Sequence, residues 1–373
     1  MSNTWTDRGR RRSRHARAWL AVLVVMLLAA CGPAASGAPS GAPAASGAPS
    51  GAGSVSPSPT VSAVVDPSAV LPSRAPASGS ITLYTSVQQP VVDAILAALA
   101  AAQPNVTVEL FRAPTGELSA RMAAELREGG IQADVLWLTD PLSMQAWVDQ
   151  GVLRAWSPAG AAGLDPADQT DTFWGTRMLN MVMVKHADLT PGPTDWQDLT
   201  DPALGDAVAI PDPGFAGSAF GALGYFALHP DYGMAFYEEL KANGAVQIKS
   251  PDEVTTGVAE GQFRAGITLD SSARAAVAKG SPVELVWPSS GSVAMYSPVG
   301  VVDGSENPAA AEALVEFLLS AEGQRILGEA GQEPVLPGFG GPEPGGDQAR
   351  PDWRAIFGQQ EQLLEQYRAI FGG

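Results

Sequence analysis

One cysteine, Cys31, stands in 373 residues, so no intrachain disulfide and no cysteine-based metal site is available, and packing must hold the fold. Histidine is nearly as scarce, with His15, His186 and His229 the only three. A hydrolase needs a nucleophile, a base and an orienting acid, and Ser218 with His186 or His229 is the only supply. Ala216 and Phe220 flank that serine where a nucleophile elbow carries glycines, and neither histidine falls in a motif, so no enzymatic activity is expected. Long apolar runs are missing too: the uncharged stretch Ala18–Ala30 is too short to span a bilayer comfortably. Positive charge is in deficit, with 22 Lys and Arg against 39 Asp and Glu. Residues 1–30 carry six Arg and one Asp, a net +5, so a chain without them moves from −17 to −22. Such a balance repels phosphate backbones and anionic headgroups and disfavours nucleic-acid binding.

The cationic start, Arg8 to Arg17, followed by the short apolar run, reads as a targeting segment over 1–30. It ends in Leu28-Ala29-Ala30-Cys31, which resembles the lipobox at which bacterial lipoproteins are cleaved and lipidated on the cysteine. Residues 31–79 are then mostly Ala, Gly, Pro and Ser, with AASGAPSGA at 34–42 recurring at 44–52. A segment with so few large apolar side chains cannot offset the entropy of ordering, and it reads as a flexible tether. The remaining 290 or so residues exceed what one ordinary core serves, and two lobes are expected.

After Ser80, strands and helices alternate as in open α/β sheets covered on both faces. Ile81–Thr85 reads as a buried strand, a helix opens near Pro90, Val106–Leu110 alternates as a second strand, and Val135–Leu138 is a third. Met178–Val184 reads as a strand crossing to a second lobe. There, Ala207–Ile210 is a strand, a helix starts at Ser218, and another over Met234–Leu240 stops at Asn243-Gly244 before a strand at Val246–Ile248. Ser250-Pro251-Asp252-Glu253 is a capping box, Ala265–Leu269 a strand running into Asp270 and a helix, and Val299–Val302 the return strand. The RAIFG motif at 354–358 and 368–372 places Ile356, Phe357, Ile370 and Phe371 on one helix face, expected to pack on the first lobe. The resulting division is 80–178 for the first part of lobe 1, 179–296 for lobe 2, and 297–373 for the return to lobe 1.

Several stretches in order resemble the ferric-ion and phosphonate receptors of ABC importers, a branch of the type II periplasmic solute-binding proteins. They are Ile81-Thr82-Leu83-Tyr84-Thr85, Ala133-Asp134-Val135, Phe173-Trp174-Gly175, Thr194-Asp195-Trp196, Ile210-Pro211-Asp212-Pro213, Tyr296-Ser297-Pro298-Val299-Gly300, and Glu316 to Gln324. The resemblance implies an α/β, two-lobed periplasmic-binding-protein-like fold, each lobe an open sheet flanked by helices, closing over a solute at strand ends and helix N-termini. It also implies an extracytoplasmic receptor held to the membrane by lipid on Cys31. Its partners are a small-molecule ligand and an ABC permease, with no nucleic acid, no cofactor, no resident metal and a monomeric chain.

The candidate contacts follow from strand ends and from that resemblance. Gly217-Ser218-Ala219 opens a helix with small residues, and in the family this place holds a phosphate or comparable anion. Ser250 lies at another polar contact of the family, and it is also the cap of its own helix. Asp270-Ser271-Ser272 occupies the place where ferric receptors carry adjacent tyrosines. Hard Fe(III) favours anionic oxygen donors, which two neutral serines replace poorly. Ser86 and Gln88 follow the first strand and Thr139 and Asp140 the third, so both loops are expected to face the cleft. Trp174, Arg177 and Tyr296 lie near the crossings, and the planar fork of Arg177 suits a carboxylate or phosphonate. The leading ligand is a small organic anion such as a phosphonate or phosphate ester. Ferric ion with a bridging anion is the alternative, and a surface scaffold without a solute is the reading from another class.

Overall fold

The computed structural model describes residues 76–372, so the targeting segment, Cys31 and nearly all of the tether lie outside the described residues. The chain begins with β1 (Gly79–Thr85), α1 (Gln89–Ala102), β2 (Val106–Arg112), α2 (Thr115–Glu128) and β3 (Val135–Trp137). Pro90 sits in the first turn of α1, where a missing N–H costs nothing, and Val91, Val92, Ile95 and Leu99 bury one helical face. Next come α3 (Pro141–Val148) and the long strand β4 (Phe173–His186). The sequence reading missed α3, and β4 starts five residues before the expected Met178.

The second series runs β5 (Val208–Pro211), α4 (Gly217–Leu228), α5 (Ala235–Ala242), β6 (Val246–Ile248), α6 (Pro251–Ala259), β7 (Ala265–Leu269) and α7 (Asp270–Ala278). It continues through β8 (Val283–Val286) into β9 (Ser292–Val301), then α8 (Pro308–Leu318) and α9 (Ala321–Glu329). The chain closes with the short strands β10 (Glu333–Pro334) and β11 (Gln348–Ala349) and the helices α10 (Trp353–Ile356) and α11 (Gln360–Phe371).

The strand order is β2-β1-β3-β9-β4-β7-β5-β6. β1 pairs in parallel with β2 and β3, and β5 in parallel with β6 and β7. Between these two parallel blocks lie β9 and β4, antiparallel to each other and to their flanking strands. The Val299–Val301 end of β9 completes the first block against β3, whereas the Met181–Lys185 end of β4 completes the second against β7. The whole is a mixed α/β architecture. One apolar cluster fills the space between β1, α1, α8 and α9; a second, larger one runs from α2 and α3 through the central strands to α4, α5 and α11.

The C-terminal segment departs from the expected single helix face. Gly358, at φ 86°, breaks the chain between α10 and α11. α10 packs on α3, and Phe357 meets Phe173 edge-on at 6.3 Å, whereas α11 packs mainly on α4 and α5. Tyr367 touches Tyr237 edge-on at 5.2 Å and accepts a hydrogen bond from Gln247 at 3.2 Å.

Candidate functional site

A cavity of about 280 Å³ opens where the carboxyl ends of both parallel blocks face each other. Open α/β sheets bind ligands at this end, because the loops there carry side chains and helix starts free of ladder bonding. Ser86 and Gln88 come from the β1–α1 loop, Thr115 from the start of α2, and Thr139 from the β3–α3 loop. The three hydroxyls form one cluster: Thr115 Oγ1 donates to Ser86 Oγ at 2.9 Å, and Thr139 Oγ1 lies 3.3 Å from both.

Across the cavity stand Gly217 and Ser218 of α4. The N-cap of this helix is Ala216, which offers no side-chain cap to the first-turn N–H groups. Ser218 does not cap its helix; it is buried, and its hydroxyl bonds no described residue. Ser250 lines the cavity while capping α6, its Oγ accepting from the Glu253 N–H at 3.3 Å and donating to Glu253 Oε1 at 3.2 Å. Asp252 and Glu253 add two carboxylates to that wall.

Arg177 enters from the central strands. The register of β4 against β9 shifts between Gly175 and Met178, so Thr176 and Arg177 together oppose Ser297 in a β-bulge. A bulge re-aims side chains, and here it brings a buried guanidinium to the cavity. Its Nη1 donates to Gln332 Oε1, its Nε has no partner, and no carboxylate lies within ion-pair distance among the described residues. Burial pushes its pKa down to about 10, opposed by the negative charge of Asp270.

Seven expected residues lie outside the cavity lining. Asp140 is fully buried behind Gly217: its Oδ1 caps α3 by accepting from the Ser143 N–H at 2.7 Å, and its Oδ2 has no partner. Burial raises the Asp140 pKa to about 7, against the hydrogen bonds from Ser143. Ala219 turns into the core. Asp270 faces Arg274 of its own helix at 2.6 Å, Ser272 donates to Asp252, and the Ser271 hydroxyl is buried without a partner, so the strand end meets the cavity through Leu269 instead. Tyr296 is buried and stacks on Phe173 at 6.3 Å, and Trp174 packs edge-on against Trp156 at 5.4 Å; both are packing residues of the crossings.

The sequence reading passed over Arg112, Thr115, Lys249 and the carboxylates of Asp252 and Glu253. Arg112 and Thr115 carry the same signal as Ser86, a polar residue between a strand and a helix. Lys249 spans the cavity mouth, its Nζ 2.6 Å from Glu117 Oε1 of α2. That pairing raises the lysine pKa. Beside it, the Gly116 N–H donates to the Phe215 carbonyl at 3.0 Å, so the two blocks touch directly. Neither His186 nor His229 lines the cavity.

Comparison with known proteins bears on the family and the fold. The profile of the family described as bacterial extracellular solute-binding proteins matches residues 81–333. An uncharacterised protein of Haemophilus influenzae is 32% identical over 141 residues, covering 37% of this chain and 41% of the relative, so the match spans less than half of that protein's length. Among solved structures, the periplasmic binding protein AfuA from Actinobacillus pleuropneumoniae, with exogenous fructose-6-phosphate bound, superposes with a TM-score of 0.67. It is 19% identical, over 78% of this chain and 98% of that one. Iron-bound HitA from Pseudomonas aeruginosa superposes at 0.68 with 19% identity, over 78% and 99% of the two chains. The substrate-binding protein of an ABC transporter from Agrobacterium tumefaciens superposes at 0.70 with 18% identity, over 79% and 94%. The periplasmic-binding-protein fold and the profile match together place this chain in the bacterial extracellular solute-binding protein family.

Proposed function

We propose that the protein is the extracytoplasmic receptor of an ABC importer, tethered by lipid on Cys31, and that it captures a small organic anion, such as a phosphate ester or phosphonate, between its two parallel blocks. The carrying observation is Arg177: a buried guanidinium without a carboxylate partner, opening on a cavity that also receives the uncapped start of α4. An anionic group there gains a planar fork and helix N–H donors in a poorly solvated site, where charge-assisted hydrogen bonds are strongest. The Ser86, Thr115 and Thr139 hydroxyls, with Asp252 and Glu253 opposite, suit hydroxyl or amine groups on the rest of the molecule. AfuA, with its bound sugar phosphate, is consistent with this chemistry.

Ferric ion carried with a bridging anion is the second reading, since Asp252 and Glu253 bring two carboxylates to the cavity and HitA was solved with iron. A thermal-shift panel on the full-length protein, with phosphate esters, phosphonates, sugars, amino acids and ferric citrate, separates them, because a bound ligand raises stability in a concentration-dependent way. A shift with an organic anion that is lost in Arg177→Gln supports the first reading. A shift with ferric citrate and none with the metal-free anions supports the second, and no shift with any class weighs for a scaffold.

A further inference from the structure

Behind the cavity, the surroundings of Arg177 are polar yet withhold a counter-ion. Gln332 is 5% exposed and Arg177 1% exposed, and the amide Oε1 accepts from Nη1. The Gln332 Nε2 donates to the Ala330 carbonyl at 3.3 Å and its backbone N–H to Leu327 at 3.0 Å, so the amide is fixed in orientation. Two carboxylates lie near, and both are engaged elsewhere. Asp270 pairs with Arg274 at 2.6 Å and accepts from the Ser271 N–H at 2.7 Å. Glu333 adjoins Gln332 in the chain, but it faces the other side of β10 and accepts from Asn180 at 2.8 Å and from Gln348 at 3.1 Å.

We infer that Gln332 is a positioning residue: it holds the Arg177 guanidinium in the cavity wall through a neutral amide, leaving the ligand's anionic group to act as its counter-ion. The inference rests on the anionic-ligand reading above. A buried charge without a partner is costly to the unliganded fold, and a carboxylate at this position would relieve that cost while cancelling the attraction for an anion. Backbone pairing reinforces the link, because Pro334 of β10 stands opposite Arg177 and Glu333 opposite Met178 in the antiparallel ladder. The amide thus fixes the place of the guanidinium and leaves its positive charge uncompensated.

The test compares Gln332→Glu and Gln332→Met in the full-length protein by melting temperature without ligand and by calorimetric titration with methylphosphonate, glycerol phosphate and fructose 6-phosphate. The expected result is opposite signs in the glutamate variant: a melting temperature at or above wild type, together with an anion affinity weakened by at least about tenfold, the order lost with one charge-assisted contact. The methionine variant, which removes the amide and adds no charge, is expected to melt below wild type. Equal loss of melting temperature in both variants, or anion affinity within twofold of wild type in Gln332→Glu, overturns the inference. If wild type binds none of the three anions, the ligand reading fails, and the melting comparison alone still decides whether Gln332 leaves Arg177 uncompensated.

Discussion

Gly217 and Asp140 approach so closely that a Cβ on the glycine would stand 2.3 Å from Asp140 Oδ2 and 2.7 Å from the hydroxyls of Thr115 and Thr139. The start of α4 therefore reaches the opposite block only because position 217 has no side chain. Gly217→Ala is expected to cost about 1–3 kcal/mol by overpacking and to hold the two blocks apart, weakening ligand binding. Denaturant unfolding checks the first effect and titration the second. An alanine variant as stable as wild type would show that the contact yields without strain.

Asp140 gives the stability curve a definite slope. Its folded pKa of about 7 lies above the ordinary 3.8, because burial disfavours the charged form. The folded state therefore binds the extra proton, and the Asp140 contribution to stability falls as pH rises from about 4 to about 7, by at most roughly 4 kcal/mol. Asparagine caps a helix as well as aspartate does, so Asp140→Asn is expected to keep α3 and flatten the slope. Its stability advantage over wild type should grow across that window and level off above it; parallel curves would count against the assignment.

Lys249 and Glu117 join the blocks at the cavity mouth while both remain solvent-accessible. Exposed pairs add little to stability, so Glu117→Lys should leave the melting temperature almost unchanged. Ligand dissociation should accelerate several-fold by stopped-flow at low salt, since the pair bridges the two blocks over the cavity mouth and is screened as salt rises. The exchanged double variant, Glu117→Lys with Lys249→Glu, is expected to restore the slow rate, and failure of that rescue would remove the latch from the account.

Trp196 tests the packing of the second block. Its ring meets Phe226 edge-on at 5.1 Å and its Nε1 donates to the Gly291 carbonyl at 3.0 Å, anchoring the turn that leads into β9. Trp196→Ala is expected to cost about 3–5 kcal/mol, and Trp196→Phe less, retaining the packing but orphaning the carbonyl. Urea unfolding of the two variants ranks the terms, and equal losses would place the energy in the hydrogen bond.

Much of the frame was legible because strand and helix periods differ and because capping signals are local. Ser250-Pro251 marked the start of α6, and Val91, Val92, Ile95 and Leu99 marked the buried face of α1. α3 escaped because Pro141, Leu142, Ser143, Met144 and Trp147 are all buried, so no polar face sets a period. Ser86, Gln88 and Thr139 follow from the strand-end rule, and Gly217, Ser218 and Ser250 from the family resemblance; all six line one cavity. The pairing of Asp270 with Arg274, four residues on, is a spacing the sequence also offers, since it sets both on one helix face. The isolation of Arg177 was beyond local reading: it depends on a bulge set by the register of β4 against β9, and on Gln332, 155 residues away in sequence.

The interleaving of β4 and β9 also imposes an order in time. As the chain emerges, β1, β2 and β3 are complete by Trp137, yet the edge of β3 waits for Val299 and its neighbours in β9. The second block is synthesised in between. The half that begins first is thus finished last, and its exposed edge stays open until nearly the whole sheet-forming chain is available.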